Sequence, residues 1–334
     1  MRIDIYDANY RRIAVDPVFI DFRWVRRFSR PGEFQITTPF TQEMFDYFKP
    51  YQPPRPGQPA QAGHVVHKQD TDEVAFVENR HVVQTIDNKV LLVARGRFAS
   101  CLLDRRVVSL EGRLGLAAAL QNIVQNNFLA PAGAGRNMPN VRLLPTNVPN
   151  ASVYVNASRR GADVVIRELL EEHQAGVRVR WNFDSRVYEI EFYQPRETLA
   201  EFSKDFTNVS EQEYWEDTEQ YKNVVFVGDE FTHGVGLGFE RREMAIGAPA
   251  EGTETIQEAG STALGRNAAV RTITNVINTA NPQFVYLRDW DLGSIVTTEN
   301  RELGFESREV VVEVTEFFDE SGRNIEVRTE WVRQ

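Results

Sequence analysis

The sequence predicts a mainly β protein of the α+β class, in which a small α/β module lies between two strand-rich stretches. Three observations predict it. Apolar and polar residues alternate, the period of a half-buried strand, through the first third and again through the last. The middle switches to helical period at "RLGLAAALQNIVQNNFL" (113–129) and "GADVVIRELLEEHQAG" (161–176). Turn-forming residues such as Asp87-Asn88, Asp184-Ser185 and "DESGR" (319–323) separate neighbouring alternating runs, as hairpins require. The implied domains are 1–106, 107–196 and 197–334.

The elements follow in order. Ile3 and Ile5 alternate with polar residues up to a turn at Asp7-Ala8-Asn9, and Arg12 to Val15 is a second short run. "WVRRFSRPGEFQI" (24–36) reads as a hairpin. Phe22, Trp24, Arg26 and Phe28 share one parity, Phe34 and Ile36 share another, and Arg30-Pro31-Gly32-Glu33 suits a type II turn. "FTQEMFDYFKPY" (40–51) sets Phe40, Met44, Phe45 and Phe48 at helical spacing. Residues 50–63 hold too many prolines for a helix or a central strand and form a long loop. Strands resume at 73–98.

In the middle, Leu116, Leu120, Ile123, Val124 and Phe128 form one helical stripe. Residues 130–150 are a Pro-, Gly- and Asn-rich loop, and Gly176 is placed to cap the second helix. Residues 177–193 form a hairpin, with Val177, Val179, Trp181 and Phe183 alternating outwards and Tyr188, Ile190 and Phe192 on the return. The last third reads as strands at 221–231 and 292–332. It is interrupted by an acidic, small-residue-rich loop, 248–268, expected to be mobile. In the final strand Ile325, Val327, Thr329 and Trp331 face one way, which places Trp331 towards the core.

Length and charge narrow the function. A chain of 334 residues suggests two or three domains. No apolar run approaches the ~20 residues of a membrane helix, and the N-terminus lacks the apolar core of a secretory signal, so synthesis and folding in a cytoplasm are expected. A single cysteine, Cys101, allows no internal disulfide. The net charge of −10 argues against a nucleic-acid grip, and the short basic clusters are matched by carboxylates.

No catalytic or metal motif emerges. His64 and His67 have H-x-x-H spacing but no further ligand nearby, and His173 suits a helix end. "GVGLG" (234–238) lacks the spacing and flanking residues of a phosphate loop and reads as a flexible loop. Cys101, among apolar neighbours, reads as a small buried hydrophobe. Acidic pairs such as Asp229-Glu230 and Glu216-Asp217 offer no means of selecting a catalytic pair from 48 acids. No cofactor or metal is expected.

Several stretches, taken in order, carry a resemblance. They are "IDIYDANYRRIAVD", "WVRRFSRPGEFQITTP", "ARGRFASCLLDRRVV", "DTEQYKNVVFVGDE" and "VVEVTEFFDESGRNIEV". Together they resemble the siphovirus ReqiPepy-like tail proteins over nearly the whole chain. Residues 50–63 depart as a local elaboration, and 248–268 match only loosely, through "ALGRNAAV". The resemblance implies a virion protein similar to the baseplate hubs of long-tailed phages, with two tail-tube-like β domains per chain. Three chains would then make a ring that joins the tail tube to the tip and lets DNA pass. Its implied partners are its own copies, a distal tail or tail tube protein, the tape-measure end, and tail fibre or spike proteins.

On this reading Arg23, Arg26 and Arg27 bridge carboxylates of a neighbouring copy, and the excess acids line the lumen. The alternatives are a cell-wall hydrolase, or a carbohydrate-binding tip protein using Trp215, Trp290 and Trp331.

Overall fold

The computed structural model describes residues 2–133, 135–228, 231–249, 255–280, 282–320 and 322–332. Strand makes up 49% of the chain and helix 17%, so the alternating pattern folds as the mainly β class it predicts. One sheet of 13 strands takes in both the first and the last third. Its path begins with Val209–Asp217, Val270–Ile277, Gly322–Trp331 and Phe305–Asp319. It continues through Asp21–Arg27, Glu33–Pro39, Val90–Phe98, Val74–Gln84, Val65–Lys68 and Ile3–Tyr6 to Arg12–Val15.

The long Phe305–Asp319 strand joins the two halves. Gly322–Trp331 pairs along one of its edges, from Glu309↔Trp331 to Asp319↔Gly322. Its other edge is divided: residues 305–310 pair with Ser294–Asn300, and residues 313–318 pair with Asp21–Arg27. The first and last thirds are therefore hydrogen-bonded to each other rather than linked by a hinge. Behind Ser294–Asn300, Arg196–Ser203 adds a parallel strand.

The intervening module packs helices Leu116–Val124 and Ala162–Glu172 against the paired strands Val107–Gly115 and Ser152–Gly161 and against the hairpin Gly176–Asn182/Val187–Tyr193. The predicted stripe of Leu116, Leu120, Ile123, Val124 and Phe128 is buried in its core. A fourth unit lies within the last third. Strands Phe231–Gly234, Val224–Val227 and Glu243–Ile246 form a three-stranded sheet under helix Ile256–Arg266, with Val225, Val227, Ala259 and Ala263 as its core.

Several expectations are corrected. The 248–268 stretch is largely helical: Ile256–Arg266 is held at its start by a reciprocal cap between Thr255 and Glu258. Residues 250–254 of that stretch lie outside the described residues. The first module helix begins at Leu116, because 113–115 complete the Val107–Gly115 strand. A short strand, Val141–Leu143, lies in the predicted 130–150 loop. Gly176 opens a strand instead of capping a helix, and Gln174 takes the left-handed conformation there. Trp331 is 45% exposed at the strand end, although Ile325, Val327 and Thr329 point inwards as expected.

Gly32 is not required by a type II turn, since its φ is not positive. It is required by close approach: a Cβ there would stand 2.2 Å from the Val25 carbonyl and 3.0 Å from Phe98. Gly32→Ala is expected to cost ~1–3 kcal/mol of stability through overpacking. Gly247→Ala, with nothing within 4 Å of the added carbon, stays within ~0.5 kcal/mol. Urea denaturation of the two variants checks the contrast.

Candidate functional site

Residues from the first third, the module and the last third converge at the C-terminal end of the Asp21–Arg27 strand. Strand parity turns Phe22, Trp24 and Arg26 to the same inner side. Phe22 and Trp24 enter an aromatic core with Phe34 and Phe98. Arg26, one step further along, is only 2% exposed and meets charges instead. Its Nε donates to Glu73, and its Nη1 donates to Tyr286 Oη at 2.8 Å and to Asp291. Burial pushes the Glu73 carboxyl upwards, against the pull of the Arg26 guanidinium. A second buried cation, Lys68, lies 3.0 Å from the equally buried Glu316, which also accepts from Arg323.

Phe28 follows at the point where the three regions meet. Its N–H donates to the Val312 carbonyl (2.9 Å), and its carbonyl accepts from the Val177 N–H (2.8 Å). Its ring is edge-on to Tyr193 at 5.3 Å. Gly176 and Gly293 flank that ring, and a Cβ on either would fall 2.4 Å and 2.6 Å from it, respectively. Sequence reasoning missed Glu73, Asp291, Tyr286, Lys68 and Glu316. The available signal was Arg26 itself, a charge on the parity of two large aromatics.

The three arginines expected at an inter-subunit interface therefore separate. Arg26 is enclosed by its own chain and presents no guanidinium to a neighbour, which corrects the expectation for that residue. Arg27 is partly exposed and bonds Glu313 (2.7 Å) and Glu33 (2.9 Å) of its own chain. Arg23 is on the outer face, exposed, 5.3 Å from the Phe317 ring. It lies in one row with Gln35 and Arg95 on successive strands.

The remaining candidates do not assemble a reactive centre. His64 Nδ1 faces the Tyr47 carbonyl and His67 Nε2 the Thr71 carbonyl, each at 2.8 Å. No group of three or more potential metal ligands occurs among the described residues. Burial pushes the Cys101 thiol up to about 12, far from a nucleophile's range. His233 Nε2 and Ser261 Oγ are 3.0 Å apart. Ser261 stands inside the Ile256–Arg266 helix, however, where backbone N–H groups are engaged in helical bonds and offer no oxyanion donors.

Glu216 pairs with Arg271 (2.8 Å) on an edge strand, Asp217 accepts from the Glu219 N–H, and Asp229-Glu230 lie outside the described residues. The three tryptophans form no patch. Trp290 is fully buried, and the registers Trp215↔Thr272↔Glu330 and Glu216↔Arg271 place Trp215 and Trp331 on opposite faces of the sheet.

A large sheet that carries an interior charge network, and on which the candidate residues described bring no reactive centre together, has the fold of phage tail proteins. Over 98% of this chain and 96% of the other, the structure is similar to the tail protein from Neisseria meningitidis MC58 (TM-score 0.62, 10% identity). It is equally similar to the 43 kDa tail protein of prophage MuSo2 from Shewanella oneidensis (0.62, 11% identity, 98% and 97% covered). It is also similar to prophage tail protein gp18 from Listeria monocytogenes EGD-e (0.54, 12% identity, 98% and 94% covered). No curated protein sequence matches. The chain belongs to the Siphovirus ReqiPepy6 Gp37-like family, whose model matches residues 2–233 and 240–329.

Two outcomes are expected from the site. Arg26→Met leaves the Glu73 carboxylate buried without its cation and destabilises the fold by ~3–5 kcal/mol, whereas adding Glu73→Leu recovers most of that loss. A double-mutant cycle by urea denaturation measures it.

Burial holds the His67 imidazole below its usual value, although the Thr71 carbonyl and Asp4, Asp72 and Asp70 pull it up. The unfolded imidazole takes up a proton near pH 6.5 and the folded one only below that. Stability is therefore complete above pH 6.5 and declines as the pH falls through the window beneath it. His67→Gln is expected to flatten that decline, as read from denaturation midpoints between pH 7.5 and 5.

Proposed function

We propose that the protein is a structural component of the phage tail, a hub whose copies close into a ring at the tail tip, joining the tube to the tip without catalysing a reaction. The single observation that carries this reading is the division of the Phe305–Asp319 edge between Ser294–Asn300 and Asp21–Arg27, which fuses two β units of one chain side by side in a single sheet. A ring of such chains repeats that arrangement between copies. The sheet path ends in Arg12–Val15 and Val209–Asp217, each bonded along one edge only. Such edges are the natural place for a neighbouring copy to continue the pairing. The family membership and the full-length similarity to tail proteins support the same reading.

In this assembly the domains remain 1–106, 107–196 and 197–334, the ring is a homotrimer, and DNA passes a lumen on which the net charge of −10 discourages phosphate binding. Distal tail or tube proteins, the tape-measure end, and fibres or spikes dock around it in the virion. Arg23, with Arg95 beside it, offers guanidinium groups to carboxylates of the neighbouring copy.

Sedimentation equilibrium of the full chain is expected to give the trimer mass at high concentration. Arg23→Ala/Arg95→Ala is expected to raise the dissociation constant about tenfold, the loss of ~1.4 kcal/mol, with an unchanged denaturation midpoint. A chain that stays monomeric at every concentration, and that is absent from reconstructions of the tail tip, contradicts the ring.

A further inference from the structure

The large sheet fixes the sense in which its two ends can meet. Every pairing along its path, from Val209–Asp217 to Arg12–Val15, is antiparallel. An odd number of strands lies on that path, so its first and last strands run in the same direction. Rotation about a ring axis leaves the sense of a strand along that axis unchanged. In a ring whose strands run along the axis, as they do in a barrel, the end strand of one copy therefore meets the opposite end strand of the next as a parallel pair. A twofold dimer joins like edges instead, and they meet antiparallel.

Both end strands are open to a partner. Val209–Asp217 is nine residues long, holds no proline and no lysine, and is bonded only to Val270–Ile277. An edge of that length invites pairing unless something covers it. Arg12–Val15 is bonded only to Ile3–Tyr6.

The side chains select the same direction independently. The short strand begins with exposed cations, Arg11 and Arg12, and ends with the exposed Val15. The long strand begins with the exposed carboxylates of Glu211 and Glu213 and continues with the exposed rings of Tyr214 and Trp215. Among the described residues, Arg11, Glu211 and Glu213 form no ion pair. Laid parallel, the arginines stand beside the glutamates and Val15 stands beside the rings. Laid antiparallel, Val15 stands beside the glutamates, and the arginines reach an end whose Glu216 is already held by Arg271 (2.8 Å) and whose Asp217 accepts from the Glu219 N–H (2.7 Å).

We infer that the ring closes through a parallel strand pair, Arg12–Val15 of one copy against Val209–Asp217 of the next. The inference rests on the ring reading and adds which edges meet, in which direction and through which charges. A second copy is the occupant because it brings the complementary charge to each edge, a cation to Glu211 and Glu213 and carboxylates to Arg11. The two edges are unlike, so the contact is heterologous, and its repetition by rotation generates a ring instead of a pair. A parallel ladder is slightly less stable per residue than an antiparallel one, so this short junction draws on its charges as well as on its backbone bonds.

The test uses the full chain. Glu211→Lys/Glu213→Lys changes exposed side chains that have no ion-pair partner, so its denaturation midpoint is expected to match the wild type while the dissociation constant, read by sedimentation, rises about tenfold. Adding Arg11→Glu to the same chain is expected to recover part of that loss. In a second arm, Val15→Cys chains are mixed under mild oxidation with Trp215→Cys chains or with Ser210→Cys chains; Cys101, being buried, stays unreactive. A mixed disulfide is expected with Trp215→Cys and not with Ser210→Cys. The reverse preference overturns the parallel direction. A wild-type ring that the lysine variant forms equally well, with no mixed cross-link, overturns the junction and leaves the ring reading standing. A wild-type chain that never associates overturns both.

Discussion

Everything in the fold is referred to the place where Phe28 leaves the Asp21–Arg27 strand. Its backbone bonds the last third through Val312 and the module through Val177, and its ring fills the gap left by two glycines from those same regions. A larger residue at Gly176 or Gly293 displaces the ring, and a smaller residue at 28 opens a void beside Tyr193. Phe28 itself belongs to the core of the last third, although it is encoded in the opening hairpin. That exchange ties the opening hairpin to the core of the last third.

The charges next to this contact obey a different constraint. Arg26, Glu73 and Asp291 come from the opening hairpin, the following strand region and the last third, and no two of them are close in sequence. Removing such charges from water costs several kcal/mol per ion, which their mutual attraction roughly offsets. Their net contribution to stability is therefore modest. The planar guanidinium of Arg26 serves Glu73 through Nε while Nη1 serves Tyr286 and Asp291, a division that a lysine's single ammonium does not reproduce.

What was legible in the sequence was local. Period alone places Trp24, Leu120 and Ile166 indoors, and the Asp184-Ser185 turn and the Thr41-capped helix lie where their residues put them. The errors share one cause, a partner distant in sequence. Gly32 and Gly176 look like turn and cap residues until the Val25 carbonyl and the Phe28 ring are seen to exclude a side chain. Arg26 looks like a surface cation until Glu73 and Asp291 are placed beside it. The 256–266 segment looks mobile because its small residues signal flexibility, but Ala259, Gly260 and Ala263 are small so that the helix can lie close on its sheet. Trp331 breaks its own parity because its strand runs out of core to cover it.

The divided edge of Phe305–Asp319 gives the buried charges their purpose. Strands slip by whole residues, and a slip of one turns every side chain to the opposite face. For this strand a slip of one would turn Glu316, together with Val314 and Phe318, to the opposite face and separate its carboxylate from both Lys68 and Arg323. An all-apolar interface would resist such a slip only through shape, and Val and Ile tolerate repacking. With the charges in place a single register is acceptable, so the angle between the two halves of the sheet is set by chemistry rather than by packing alone. That requirement is strictest in a closed ring, where any error in the angle within one chain is multiplied by the number of copies before the last edge must meet the first.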